Sequence, residues 1–94
     1  MPKRGIDQEA KSLLIRTIVK LKTEDESENF LNDFFSSSEV KDLARRLMAA
    51  KYLTDQKTYS EIEFLMGMSP GTVNKIHFKT KGSKIVWKLF DRKI

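Results

Sequence analysis

Between Ser69 and Lys81 a carboxamide, several ammonium groups, hydroxyls and an imidazole crowd a short stretch of chain, borne by Asn74, Lys75, Lys79, Lys81, Ser69, Thr72 and His77. A carboxamide sets a donor beside an acceptor, which suits the edge of a base pair, and ammonium groups suit phosphate. Nothing in the set pairs a nucleophile with a base. His77 is the only histidine and there is no cysteine, so the Cys/His constellations of thiol catalysis and zinc binding are excluded. The acids Glu24, Asp25, Glu26 and Glu28 are neighbours in the first turn of a helix, where the macrodipole favours negative charge. The segment KTKGS has one glycine and lacks the spacing of a phosphate loop. The sequence therefore calls for no enzyme, no cofactor and no metal.

The elements that would position the polar set are legible around it. Thr58 and Glu61 have the capping-box spacing that starts a helix, and Ile62, Leu65 and Met66 follow as its apolar residues. Gly67 ends it, because a residue without Cβ enters the left-handed region at little cost. Ser69 is a good N-cap, and Pro70 at the first helical position forfeits only an N–H that would be unpaired anyway. Val73 and Ile76 point inward against Ile62, Met66 and Met68. Gly71, Asn74, Lys75 and His77 remain outside, with Thr72 at the edge, a face small and polar enough to approach a DNA groove. Two short helices joined by a tight glycine turn, over about 58–79, are the sequence form of a helix-turn-helix.

Charge distribution supports a nucleic-acid partner. The net charge is +5; residues 1–56 are neutral overall, and from Lys57 onward eight basic residues face three acidic ones. Lys75, Lys79, Lys81, Lys84, Lys88, Arg92 and Lys93 meet only Asp91, enough cations to make binding steeply salt dependent. Residues 23–42 hold seven acids and one lysine, and that segment should face away from DNA.

The expected fold class is all-α, with about six helices in one body over residues 1–94. A first helix over 7–21 carries Ala10, Leu13, Leu14, Ile18 and Leu21, while Ile15 and Val19 widen its apolar face until it wants a partner. Thr23 and Glu26 start a second helix with a stripe of Phe30, Leu31, Phe34 and Phe35, for which packing in a core is the default reading. Ser36 and Glu39 start a long third helix through Val40, Leu43, Ala44, Leu47, Met48 and Leu53, with its exit at Asp55 and Gln56. Gly82 and Ser83 then break the chain before a last helix bearing Ile85, Val86, Trp87, Leu89 and Phe90. Its cations Lys84, Lys88, Arg92 and Lys93 share a face. The first few residues, with Pro2 and Gly5, are expected to be disordered. No apolar run is long enough to span a bilayer, the N-terminus has no leader-like apolar core, and a cytoplasmic protein without a membrane partner is the expectation. At 94 residues a lone chain buries a modest fraction of its surface, which favours an oligomer.

The run SSSEVKDLARRLMAAKYLTDQKTYSEIEFLMGMSPGTVNKI resembles the Trp repressor superfamily, and within it the Trp-repressor-like bacterial proteins of unassigned ligand. The resemblance spans about 13–80. It rests on Leu43-Ala44-Arg45-Arg46 set before Thr58-Tyr59-Ser60-Glu61-Ile62, and on Gly67 followed by Thr72-Val73 in the register of that family. It implies an intertwined homodimer whose N-terminal helices, about 7–35, interlock, and whose recognition helices, about 69–79, enter successive major grooves of double-stranded DNA roughly 34 Å apart. By the family's pattern Pro70, Gly71 and Asn74 read bases, Asn74 by pairing with adenine and the other two by close approach or through water. Tyr59, Ser60, Lys79 and Lys81 would hold phosphates. Ser69, Thr72 and Lys75 complete the candidate DNA-contacting set. Tyr59 and Ser60 have alternative uses within the first turn of their own helix.

In the tryptophan-responsive member a threonine and two arginines enclose the amino acid, and the matching positions are Ser36, Arg46 and Lys75. Arg46 keeps a planar fork for a carboxylate, but Lys75 cannot stack a flat guanidinium on an indole, which argues against tryptophan as corepressor. The alternative for Arg46 is a surface ion pair. Glu63 departs from the family by placing an acid near the groove. The implied function is that of a dimeric, sequence-specific transcriptional regulator, most simply a repressor. Two others stay open: a DNA-binding accessory subunit of a transposable element, and a nucleoid-associated or protein-interaction module without sequence preference.

Overall fold

The structure is a computed structural model and describes residues 4–90. Six helices follow in order: α1 (Arg4–Lys20), α2 (Glu24–Phe34), α3 (Ser37–Thr54), α4 (Tyr59–Met66), α5 (Pro70–Thr80) and α6 (Lys84–Phe90). No strand occurs among the described residues, and no helix there is long and apolar enough to cross a membrane. Contacts divide the chain into two compact units, Met1–Ser37 and Ser38–Ile94, where the sequence reading has one body.

In the first unit α1 starts at Arg4, so Gly5 is helical, not part of a disordered leader; Pro2 lies outside the described residues. The chain leaves most of the apolar face of α1 uncovered. Leu13, Leu14, Ile15 and Ile18 are about half exposed and Val19 is 74% exposed. At the start of α2, Thr23 accepts the Glu26 N–H as expected, but the Glu26 carboxylate reaches back to the N–H of Lys22 at 2.8 Å, not to that of Thr23. Phe30 and Phe34 pack ring to ring with centroids 5.1 Å apart, yet α2 has no buried residue and Phe34 is 74% exposed. Core packing of the stripe is thus not realised among the described residues.

The second unit holds the buried core: Ala49 and Ala50 of α3, Ile62 of α4, and Val73 and Ile76 of α5. Tyr52, Leu53, Tyr59, Met66, Met68 and Val86 pack around it. Alanines at the centre let helix backbones approach closely. The apolar residues Leu43, Leu47 and Met48, further toward the start of α3, remain largely exposed. After α3 the chain turns through Gln56, which takes a left-handed φ of 65°. Ser83 does more than break the chain, since its hydroxyl accepts the Val86 N–H at 3.2 Å and so caps α6. Val86 turns toward the core while Ile85 and Leu89 stay exposed. Of the expected basic face, Lys84 and Lys88 lie on α6, and Arg92 and Lys93 lie outside the described residues.

Candidate nucleic-acid interface

The helix pair α4–α5 is built from its caps. Thr58 and Glu61 form the complete box: the Thr58 hydroxyl accepts the Glu61 N–H at 3.1 Å, and the Glu61 carboxylate accepts the Thr58 N–H at 2.8 Å. That backbone hydrogen bond first, then the bond with the Thr58 side chain and the charge of Lys57, hold Glu61 below the ordinary carboxylate value. A depressed carboxylate contributes stability that is present above its unfolded-state value of ~4.3 and is lost as pH falls through the folded-state value. Acidification should therefore loosen the start of α4. The thermal midpoint of Glu61→Gln is expected to vary less with pH below about 5 than that of the wild type, a comparison made by circular dichroism.

Gly67 ends α4 in the left-handed region at φ 63°, and its N–H donates to the Glu63 carbonyl. The turn is also held from outside, because the Arg45 guanidinium of α3 donates to the carbonyl of Met66, the last residue of α4. Sequence reading knew Arg45 only as part of a segment; a cation at a helix C-terminus is favourable, but nothing local marks which arginine supplies it. On the far side of the turn, Ser69 accepts the Thr72 N–H at 3.2 Å, its hydroxyl lies 3.0 Å from that of Thr72, and Pro70 occupies the first helical position.

The burial of Val73 and Ile76 fixes how α5 is turned. Pro70, Gly71, Thr72, Asn74, Lys75 and Lys79 are all exposed, as are Ser60 on α4 and Lys81 at the end of α5. A Cβ built on Gly71 meets nothing nearer than the Ser69 hydroxyl at 4.0 Å, so packing inside the chain does not account for the glycine. Two exposed aromatics were not singled out from sequence. Phe78, four residues after Asn74 on the same face, is 67% exposed with the Lys81 ammonium 4.6 Å from its ring centre, and Phe64 on α4 is 87% exposed. Each was legible as an aromatic out of step with the inward residues of its helix.

Tyr59 is half-buried. Its hydroxyl lies against Nδ1 of His77, with the rings edge to face at 5.5 Å, and reaches Oδ1 of Asn74 at 3.4 Å. Trp87 is 41% exposed, and its indole N–H points to the Lys81 carbonyl at 3.5 Å.

Of the candidate effector residues, Arg46 and Lys75 line one cleft of about 440 Å³, together with Leu43, Leu47 and Ile76 among others. Arg46 also makes a surface pair with Asp42 at 3.3 Å, a contact worth little in water. Ser36 falls in the first unit, directly before α3, and the cleft-lining residues do not include it. Among the described residues no cluster of acids and histidine could hold a metal ion.

The helix pair and the long helix before it lie inside a stretch, residues 9–83, that matches the family model described as Trp repressor protein. The chain belongs to the Trp repressor family. It is also 33% identical over 63 residues to an uncharacterized Bacillus subtilis (strain 168) protein, YerC, a match covering 67% of this chain and 61% of that one. No solved structure matches it significantly. The Trp repressor family is one of helix-turn-helix DNA-binding regulators, and the all-α fold agrees with it. The family match stops at Ser83, just before α6.

Proposed function

We propose that this Trp repressor family member is a homodimeric, sequence-specific transcriptional regulator, a repressor in the simplest case, acting as one DNA-binding domain over residues 1–94. The observation that carries the reading is the outward start of α5, where Pro70, Gly71 and Asn74 are exposed together and the glycine has no internal packing reason. A groove wall closing on that position supplies one. Asn74 reads adenine; Pro70 and Gly71 allow close approach; Ser60, Lys79 and Lys81 hold phosphates, with Tyr59 at the edge of the contact. Ser69, Thr72 and Lys75 flank it.

The uncovered apolar faces of α1 and α2 favour the dimer, since a lone chain leaves large side chains in water there. Two heads about one helical turn apart would select a palindrome. The cleft lined by Arg46 and Lys75, cationic and largely apolar in its lining, suits a small anionic effector. Tryptophan is not favoured, because a lysine offers no plane for an indole.

Selection of bound sequences from a random duplex pool at near-physiological salt tests the reading. An enriched palindrome with half-sites about ten base pairs apart is the expected result. Asn74→Ala should then relax one position of the motif, with a loss of ~1–3 kcal/mol of discrimination there. Binding without enrichment would replace the regulator with an architectural module.

A further inference from the structure

Asn74 is exposed, but it is not free to turn at no cost. The Tyr59 hydroxyl approaches its Oδ1 at 3.4 Å, and the same hydroxyl lies in close contact with Nδ1 of His77. The one hydroxyl thus meets both the imidazole and the amide, and the phenol stands between them. The edge-to-face ring packing fixes the Tyr59–His77 pair further. Tyr59 comes from the first turn of α4, while His77 and Asn74 stand three apart on α5.

We propose that Tyr59 and His77 are positioning residues for base readout, fixing which end of the Asn74 amide faces which atom of the base pair. This inference rests on the regulator reading above and deepens it. Tyrosine has one O–H. If that proton goes to Oδ1, an atom that only accepts, then His77 must present Nδ1–H to the tyrosine oxygen. The chain of donors runs from imidazole to phenol to amide. Oδ1 keeps a second lone pair for a base, and both protons of Nδ2 stay available. Pairing with adenine uses both ends of the amide at once, Nδ2–H to N7 and Oδ1 from N6–H. A fixed amide therefore meets the base-pair edge with donor and acceptor in one order, and an amide free to flip accepts either.

The consequence is directional. Loss of the Tyr59 hydroxyl should admit the reversed pair, T·A in place of A·T, more than it admits G·C. The experiment measures dissociation constants of the full chain for duplexes carrying each of the four base pairs at the position that Asn74→Ala relaxes. Tyr59→Phe, which keeps the ring, is expected to cut the A·T over T·A preference roughly three- to tenfold, and by more than at any other position. His77→Ala should do the same, with His77→Gln, which retains a donor, recovering part of the preference. In the Asn74→Ala background Tyr59→Phe should add nothing, the mark of two residues acting as one unit.

A uniform loss across all four base pairs with a shallower salt dependence would overturn the inference and make Tyr59 a phosphate contact. Additivity with Asn74→Ala would overturn it as well. An enriched operator with unchanged discrimination in Tyr59→Phe sinks this inference alone, while a wild type that enriches no sequence sinks the regulator reading and this one together.

Discussion

Ile62→Ala should destabilise the protein by ~2–5 kcal/mol, the range for truncating a fully enclosed aliphatic side chain. Ile62 is 0% exposed and sits among only four other residues buried in the described part of the chain, Ala49, Ala50, Val73 and Ile76. Two of those are alanines, which have little side chain with which to close a cavity. A core of this size cannot spread the loss, and domain stabilities of ~5–15 kcal/mol leave little reserve. For a chain of this length the thermal midpoint should fall by more than about 10 °C. Thermal unfolding followed by circular dichroism measures it. An Ile62→Ala protein melting within two or three degrees of the wild type, on a scale of about 4–8 °C per kcal/mol, would mean that the buried centre of α3, α4 and α5 is not what holds the helix pair.

The second large effect concerns association. In Leu14→Glu/Ile18→Glu, two carboxylates enter the α1 face that the chain itself leaves exposed. Within a single chain such surface changes are nearly neutral, on the order of 0.5 kcal/mol. Across a dimer interface they place charge where apolar contact is required, and the assembly should fall to a single chain of 10.9 kDa. Sedimentation equilibrium resolves the mass. Operator affinity should drop about a hundredfold or more, because linkage makes the second half-site contact intramolecular and its loss removes that gain. A wild type that sediments as one chain would refute the interlocked arrangement outright.

What the sequence disclosed about this fold follows the range of the interactions involved. The Thr58–Glu61 box, the left-handed Gly67 and the Ser69–Pro70 start of α5 are agreements between residues three or four apart, and such agreements leave a spacing that can be read. The contacts that finish the site are non-local. Arg45 and Met66 are 21 residues apart, Tyr59 and His77 are 18, and Tyr59 and Asn74 are 15, and none of these separations carries a signature. Apolar periodicity likewise marked helix faces without saying which would be covered. Leu43 and Leu47 obey the helical period as well as Ala49 and Ala50, yet only the alanines are buried. Burial depends on where α4 and α5 return to α3. Likewise, the phenylalanine stripe of α2 announced a helix but not the exposure of Phe34.

The placement of Val73 and Ile76 has a bearing on how this domain can change over generations. Both belong to the core, and both lie on the helix whose opposite side carries Pro70, Gly71, Asn74 and Lys75. One element therefore answers to two separate demands at alternating positions. Inward sites are bound by the need to fold and leave room for little beyond small volume-conserving exchanges. Outward ones contribute almost nothing to holding the chain together, so they can be exchanged without first finding a compensating repair elsewhere. On the regulator reading proposed above, a lineage built on this scaffold can drift to new operators through the exposed letters of a single helix while the buried letters stand still, and duplicated copies can part ways in target before they part ways in shape.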